Sequence, residues 1–415
     1  MRSKKIILPA LTLVAVVLAA VLLAGCSNIF TTTSSSSSST TAAPTTSTTA
    51  STGTTIPGDA GATIYRSDVA RTGVYPGAGP AATASPNPTV LFTIKGASKG
   101  IDWSSPAVYN GVMYFGAGDN TFYAVDVATG TQKWAFGTKK TIWASPQIAN
   151  GIVYFTGDDG YVYAFDVKSV DTSNPQPKWK VKTGYGLVTS PVVVDGVVYA
   201  GSGDGNLYAL DAASGSLKWK VNAGHAVNSS AAVANGIVYF GGADKALHAV
   251  DAASGKEKWK FPTGAVIWAT PAVSNGIVYV GSYDDYMYAV DAQSGQLKWK
   301  FKTGDGIVSS AAVSNGVVFV GSRDNNVYAL DASTGQQKWK VQTGDDVLCS
   351  PVVAGDLIYI GSLDSNVYAL DASTGQQAWK AQLPGSASAR MWASLTVYNG
   401  AVYVGSLDGK IYVLK

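Results

Sequence analysis

The chain has 415 residues, a charged fraction of 14% and a net charge of +3. So small and dispersed a charge excludes the basic stripe of a nucleic-acid binder. Two cysteines and two histidines, with no HExxH, CxxC or calcium-loop spacing, exclude the common metal motifs. The 46 glycines, 22 tyrosines and 11 tryptophans suit many short strands joined by tight turns.

Arg2, Lys4 and Lys5 precede an apolar stretch over residues 6–23, which ends in Leu23-Ala24-Gly25-Cys26. This resembles the bacterial lipoprotein box. In that family a peptidase cuts before the cysteine, whose thiol then carries diacylglycerol. Residues 1–25 are therefore expected to be a lipoprotein signal peptide. Cys26 is the expected lipidation site, anchored by fatty chains such as palmitate. Each buried CH₂ of such a chain contributes about 0.8 kcal/mol. An uncleaved membrane anchor is the alternative, because the apolar run is nearly long enough to span. Either way the rest of the chain is exported and faces the cell surface or periplasm. Lipidation of Cys26 leaves Cys349 without an intramolecular disulfide partner.

Residues 26–62 read as a disordered tether rich in Ser and Thr, too poor in apolar residues to build a core. As a flexible coil of about 36 residues it spans on the order of 30–36 Å. Residues 63–89 form a lead-in segment, and residues 90–415 the repeat region.

Trp134, Trp179, Trp219, Trp259, Trp299, Trp339 and Trp379 mark the repeat, with one gap of 45 residues and then five of 40. The extra residues lie in 170–177. Each repeat reads as four strands. Asn-Gly pairs at 110–111, 150–151, 235–236, 275–276, 315–316 and 399–400 are type I′ hairpin signals, which need φ > 0 at both positions. Asp195-Gly196 and Gly355-Asp356 serve in the other two repeats, which gives eight. Asp119, Asp159, Asp204, Asp244, Asp284, Asp324, Asp364 and Asp408 each stand four residues before Tyr or His248. An Asp present in every repeat reads as a turn former, not a catalyst.

The last repeat stops after its third strand. Residues 90–96 loosely match the pattern of the Trp-bearing strand, with Phe92 in the Trp place. They are expected to close the ring as the missing outer strand, so that no blade is left open. Lysines flank the repeat tryptophans, as in Lys218-Trp219-Lys220. On an outer strand they discourage edge-to-edge pairing, a feature of blade architecture and not a basic binding site. The fold class is all-β, an eight-bladed propeller of four-stranded blades closed by an N-terminal strand.

The pattern Ala-x-Asp-x-x-x-Gly-x-x-x-Trp begins at Ala124, Ala209, Ala249, Ala289, Ala329 and Ala369. It resembles the tryptophan-docking repeat of the PQQ-repeat propellers, over about residues 90–415. That family includes quinoprotein dehydrogenases and the lipoprotein of the outer-membrane β-barrel assembly machinery. Residues 65–73 (Tyr-Arg-Ser-Asp-Val-Ala-Arg-Thr-Gly) resemble a lead-in common before such propellers. The resemblance implies that the seven repeat tryptophans dock between blades. The repeat at 164–179 departs from the pattern through its insertion.

Three functions compete. The first is a non-catalytic, lipid-anchored scaffold for other envelope proteins. The second is a PQQ-dependent dehydrogenase, which the resemblance would equip with calcium. Against it, the family's vicinal cysteine pair has no counterpart here, nor does its Glu/Asn/Asp calcium set. The third is a surface module binding a small ligand or glycan at the propeller mouth. Equivalent positions at the start of the innermost strands read Trp103, Trp143, Val188, Asn228, Trp268, Val308, Leu348 and Trp392. Nearby loops add Lys99, Asp102, Lys139, Lys140, Tyr185, His225, Asp305, Asp345, Asp346 and Arg390. Four tryptophans with a polar rim suit a planar ring or a sugar, or they plug the channel. Plugging is slightly favoured. Cys349 reads as a sheltered hydrophobe. The expectation is a monomeric, non-enzymatic scaffold with no catalytic residues, cofactor, metal or nucleic-acid partner.

Overall fold

The computed structural model describes residues 66–68, 70–94, 100–101, 103–168, 170–186, 189–385 and 389–415. Cys26, the signal stretch and the tether lie outside the described residues.

The strands fall into eight four-stranded antiparallel sheets. These are the blades of a propeller, with residues 107–137 (blade 1), 147–182 (2), 192–222 (3), 232–262 (4), 272–302 (5), 312–342 (6) and 352–382 (7). Blade 3 typifies them, with Val192–Val194 innermost, then Val197–Gly201, Asn206–Asp211 and Leu217–Asn222 at the rim. Its first hairpin turns at Asp195 (φ 49°) and Gly196 (φ 73°), and the Asn-Gly pairs do the same. In blade 7 only Gly355 of its pair has φ > 0, as a type II′ turn requires.

The repeated Ala, Asp, Gly and Trp form one lock between neighbouring blades. Trp219 of blade 3 donates its Nε1–H to the Ala252 carbonyl of blade 4 at 3.1 Å. Tyr199 donates to the same oxygen at 3.1 Å. The indole lies on Gly255, where a Cβ would stand 2.7 Å from the ring. Asp251 shapes the loop by accepting the Ser254 N–H and O–H. Trp179, Trp259, Trp299 and Trp339 repeat the carbonyl bond. Trp134 faces the blade with the insertion and stacks on Phe165 at 5.5 Å.

A second tie was only half legible in the repeat. Asp204 caps its turn through the Asn206 N–H and accepts the Tyr208 hydroxyl at 2.6 Å. It also accepts the Gly184 N–H of the preceding blade at 3.1 Å. Asp284, Asp324 and Asp364 take Gly264, Gly304 and Gly344 in the same way. Blade 4 differs. There Gly224 donates to Asn222 instead, and Asp244 pairs with His248 and Lys260.

Blade 8 contains Thr396–Tyr398, Ala401–Gly405, Lys410–Leu414 and, at the rim, Thr89–Thr93. The N-terminal strand thus closes the ring. Its register corrects one expectation. Thr89 faces Val413, which stands where Ala209 faces Trp219, so Thr89 holds the Trp place. Phe92 faces Ile411 and corresponds to Val221, Phe261 and Phe301. It packs on Tyr123 at 5.4 Å, as Phe301 packs on Tyr328 at 5.5 Å. The lead-in also replaces the loop that follows the third strand in other blades. Trp379 donates to Ala81 O at 3.2 Å and Tyr359 to Pro80 O at 2.8 Å.

Candidate functional site

The propeller axis is built from the starts of the eight innermost strands. Ser105, Ser145, Ser190, Ser230, Thr270, Ser310, Ser350 and Ser394 recur there, one per blade, all buried. They link the blades around most of the ring, because six of the hydroxyl oxygens accept an amide N–H from the blade before. Six such bonds span 2.8–3.2 Å, from Ser105 N to Ser145 Oγ through Ser350 N to Ser394 Oγ. Sequence reading passed over this ring, although a hydroxyl residue at the same place in every repeat was its visible sign.

Two positions before these hydroxyls stand the residues expected to form the mouth. Trp103 leans across the axis. Its ring lies 6.3 Å from Trp143, 6.1 Å from Trp268 and 5.8 Å from Trp392, with edge or tilted geometry. The four tryptophans therefore meet as one cluster. Trp103 remains 37% exposed at its top. On either side of it are cavities of about 60 and 70 Å³. Asn228 lines the first and Val308 and Leu348 the second, and ring hydroxyls line both. Each is far smaller than the roughly 300 Å³ at which ligand pockets begin.

The opposite side of the ring is stoppered by the lead-in. Arg66 and Arg71 are fully buried. Arg71 donates to the carbonyls of Ala231 at 3.3 Å and Pro191 at 2.8 Å. Arg66 donates to Pro351 O at 3.0 Å and to Ala311 O. Backbone bonds from Val273, Val313 and Val353 to Ala70, Thr72 and Gly73 fix the segment in place. Asp68 accepts the Thr72 N–H at 3.0 Å and its hydroxyl. Desolvation raises the Asp68 carboxyl pKa against the pull of Thr72 and the two arginines. The lead-in was legible as a recurrent segment, but its role as a stopper was not.

The remaining rim residues are spread out. Tyr185 is 65% exposed, and His225 is exposed beside the third blade. Lys140 pairs with Asp158 at 3.7 Å, and the Lys139 N–H bonds Asp159. Arg390 reaches Asp345 at 3.9 Å. Arg323, which sequence reading did not single out, bridges Asp305 and Asp346 and lies over Tyr283. Lys99, Asp102 and Val188 lie outside the described residues. Cys349 is fully buried against Met391 O, and burial pushes its thiol pKa up to about 12. Among the described residues no group of three His, Cys, Asp or Glu side chains is placed to hold a metal ion.

A family model described as outer membrane protein assembly factor BamB matches residues 59–226, 204–308 and 300–415. No curated protein matches the chain. Among solved structures it is similar to the computationally designed Ika8 protein, with 20% identity, 78% of this chain and 99% of that one covered, and a TM-score of 0.68. BamB from Moraxella catarrhalis gives 20% identity, 79% and 99% coverage and 0.65. Quinohemoprotein alcohol dehydrogenase from Comamonas testosteroni gives 13% identity, 85% and 80% coverage and 0.68. At these identities the likeness is one of fold.

Proposed function

Because this chain belongs to the family of the outer membrane protein assembly factor BamB, we propose that it is a non-catalytic scaffold, lipid-anchored through Cys26 outside the cytoplasm, whose mouth and rim loops hold other envelope proteins. The observation that carries the reading is the filled axis. Trp103 and its three neighbours occupy one side of the hydroxyl ring and the buried arginines the other. What is left is a rigid disk with varied loops, and in such a fold function sits in the loops.

A dehydrogenase would require a slot for its quinone. The residues present do not fit that group. The gaps beside Trp103 measure about 60 and 70 Å³, and Arg66 and Arg71 are committed to backbone carbonyls rather than free for a cofactor's carboxylates. Exposed Tyr185 and Trp103 favour, as a second reading, a glycan-binding module on the mouth face.

The test has two parts. Cells fed labelled palmitate should label the protein, and Cys26→Ser should abolish the label. Persistent label would place the anchor elsewhere. Equilibrium dialysis against pyrroloquinoline quinone, with and without calcium, should show no saturable binding. Calcium-dependent binding at one site would overturn the scaffold reading.

A further inference from the structure

The space between the tryptophan cluster and the arginine stopper is surrounded by hydrogen-bond donors. Ser145, Ser190, Ser230, Ser310, Ser350 and Ser394 line its two cavities. Each of their oxygens already accepts an amide proton. What each then offers the cavity first is its O–H. Two further polar atoms here are buried without a partner. One is Trp392 Nε1, whose side chain lines the second cavity, and the other is Ser105 Oγ, the ring member at the junction of blades 8 and 1. A buried polar atom with no partner costs roughly 1–3 kcal/mol, so the indole N–H of a side chain that lines the second cavity points to an occupant there.

Charge at the floor has the matching sign. The carbonyls that hold Arg71 and Arg66 belong to Pro191, Ala231, Ala311 and Pro351. Each directly follows a ring hydroxyl, so the guanidinium groups bond the backbone one residue on from it. Two buried guanidinium ions stand there, and among the described residues Asp68 is the carboxylate that acts on both. Among the side chains that line the second cavity, a water could give its own protons only to the remaining lone pairs of hydroxyl oxygens that already accept an amide proton. An anion needs only donors.

We infer that the second cavity is a site for one small monovalent anion of halide size, held by the hydroxyls of Ser310, Ser350 and Ser394 and by Trp392 Nε1 and balanced by Arg66 and Arg71. Each cavity has room for a few water-sized bodies, and the indole lid limits the ion's size. The inference is independent of the scaffold reading, since either can fail alone.

Iodide quenching of tryptophan fluorescence in the detergent-solubilised full chain tests it. The expected result is a saturable component displaced by chloride but not by gluconate. Trp392→Phe, which keeps the ring packing and removes the N–H, should weaken the apparent affinity about tenfold, the usual loss for one hydrogen bond to a charge. Ser310→Ala should do likewise, with unchanged far-ultraviolet circular dichroism. Quenching that is linear in iodide, indifferent to chloride and equal in both variants would overturn the inference. Ser310→Ala also strips the Thr270 N–H of its acceptor and can fail to fold. Bromide-soaked crystals of the unaltered protein therefore give the second readout. An anomalous peak on the axis between Trp103 and the Pro351 carbonyl supports the site, and water alone there rules it out.

Discussion

Gly335 and Gly316 lie on the same blade with the same φ of 73°, so alanine at either suffers the same backbone strain. That shared cost is about 1–2 kcal/mol. Their surroundings differ. A Cβ on Gly335 would stand 2.6 Å from Cδ2 and Cε3 of Trp299, whereas one on Gly316 would meet nothing within 4 Å. To admit the methyl, Trp299 must leave its seat. It would stretch or lose its 2.9 Å bond to Ala332 O, about 1 kcal/mol, and overpack its neighbours at about 1–3 kcal/mol. Gly335→Ala should therefore be about 2–4 kcal/mol less stable than Gly316→Ala. Urea unfolding followed by circular dichroism measures the difference directly. In a Trp299→Ala background the two alanines should become nearly equivalent, because the clash partner is gone. Equal destabilisation in the native background would refute the lock between blades as the reason for the repeated glycine.

Deleting residues 90–96 removes most of the outer strand of blade 8 together with Phe92. Thermal unfolding of the whole ring should fall sharply, while deleting 171–176 from the exposed insertion in blade 2 should change it little. Gln147 is fully buried with neither amide atom bonded, so Gln147→Leu should raise stability by about 1–2 kcal/mol. An unchanged or lowered denaturation midpoint would show that a hidden partner satisfies the amide. Hydroxyl and backbone N–H bonds hold Asp211, Asp251, Asp331 and Asp371 below the usual carboxylate range, Asp331 at about 2. For an acid depressed on folding, the contribution is complete above the unfolded pKa near 4 and is lost as pH falls through the folded value. Stability should thus decline between about pH 4 and pH 2. Asp331→Asn should make that decline shallower, and a flat profile over this range would contradict the assignment.

The period was legible because one lock is copied from blade to blade, and each copy spends the same four residue types at fixed spacing. Trp-docking geometry forces Gly in the next blade, and the hairpin forces Asn-Gly, so local chemistry wrote the repeat into the chain. Closure was legible for a related reason: a third strand with no successor demands a partner from elsewhere. Its register was not. Without a tryptophan to anchor the alignment, Phe92 was placed by analogy on the wrong pair. Only the facing residues, Ile411 for Phe92 and Val413 for Thr89, decide the matter.

The axis was harder to read for a physical reason. Arg66 and Arg71 act on residues 120 to 285 positions away, and nothing periodic announces a contact made once. A charged side chain 18 or 23 residues before the first strand normally signals solvent. Here it is buried because eight converging strand starts leave carbonyl oxygens facing a common axis, and only a donor-rich, planar cation reaches several of them at once. The same convergence gathers the hydroxyls into a ring and the tryptophans into a lid. The mouth residues were visible as the positions where otherwise equal repeats differ. That they meet in T-shaped and tilted contacts across the axis follows from ring closure, which brings together residues that the sequence spaces forty or more apart.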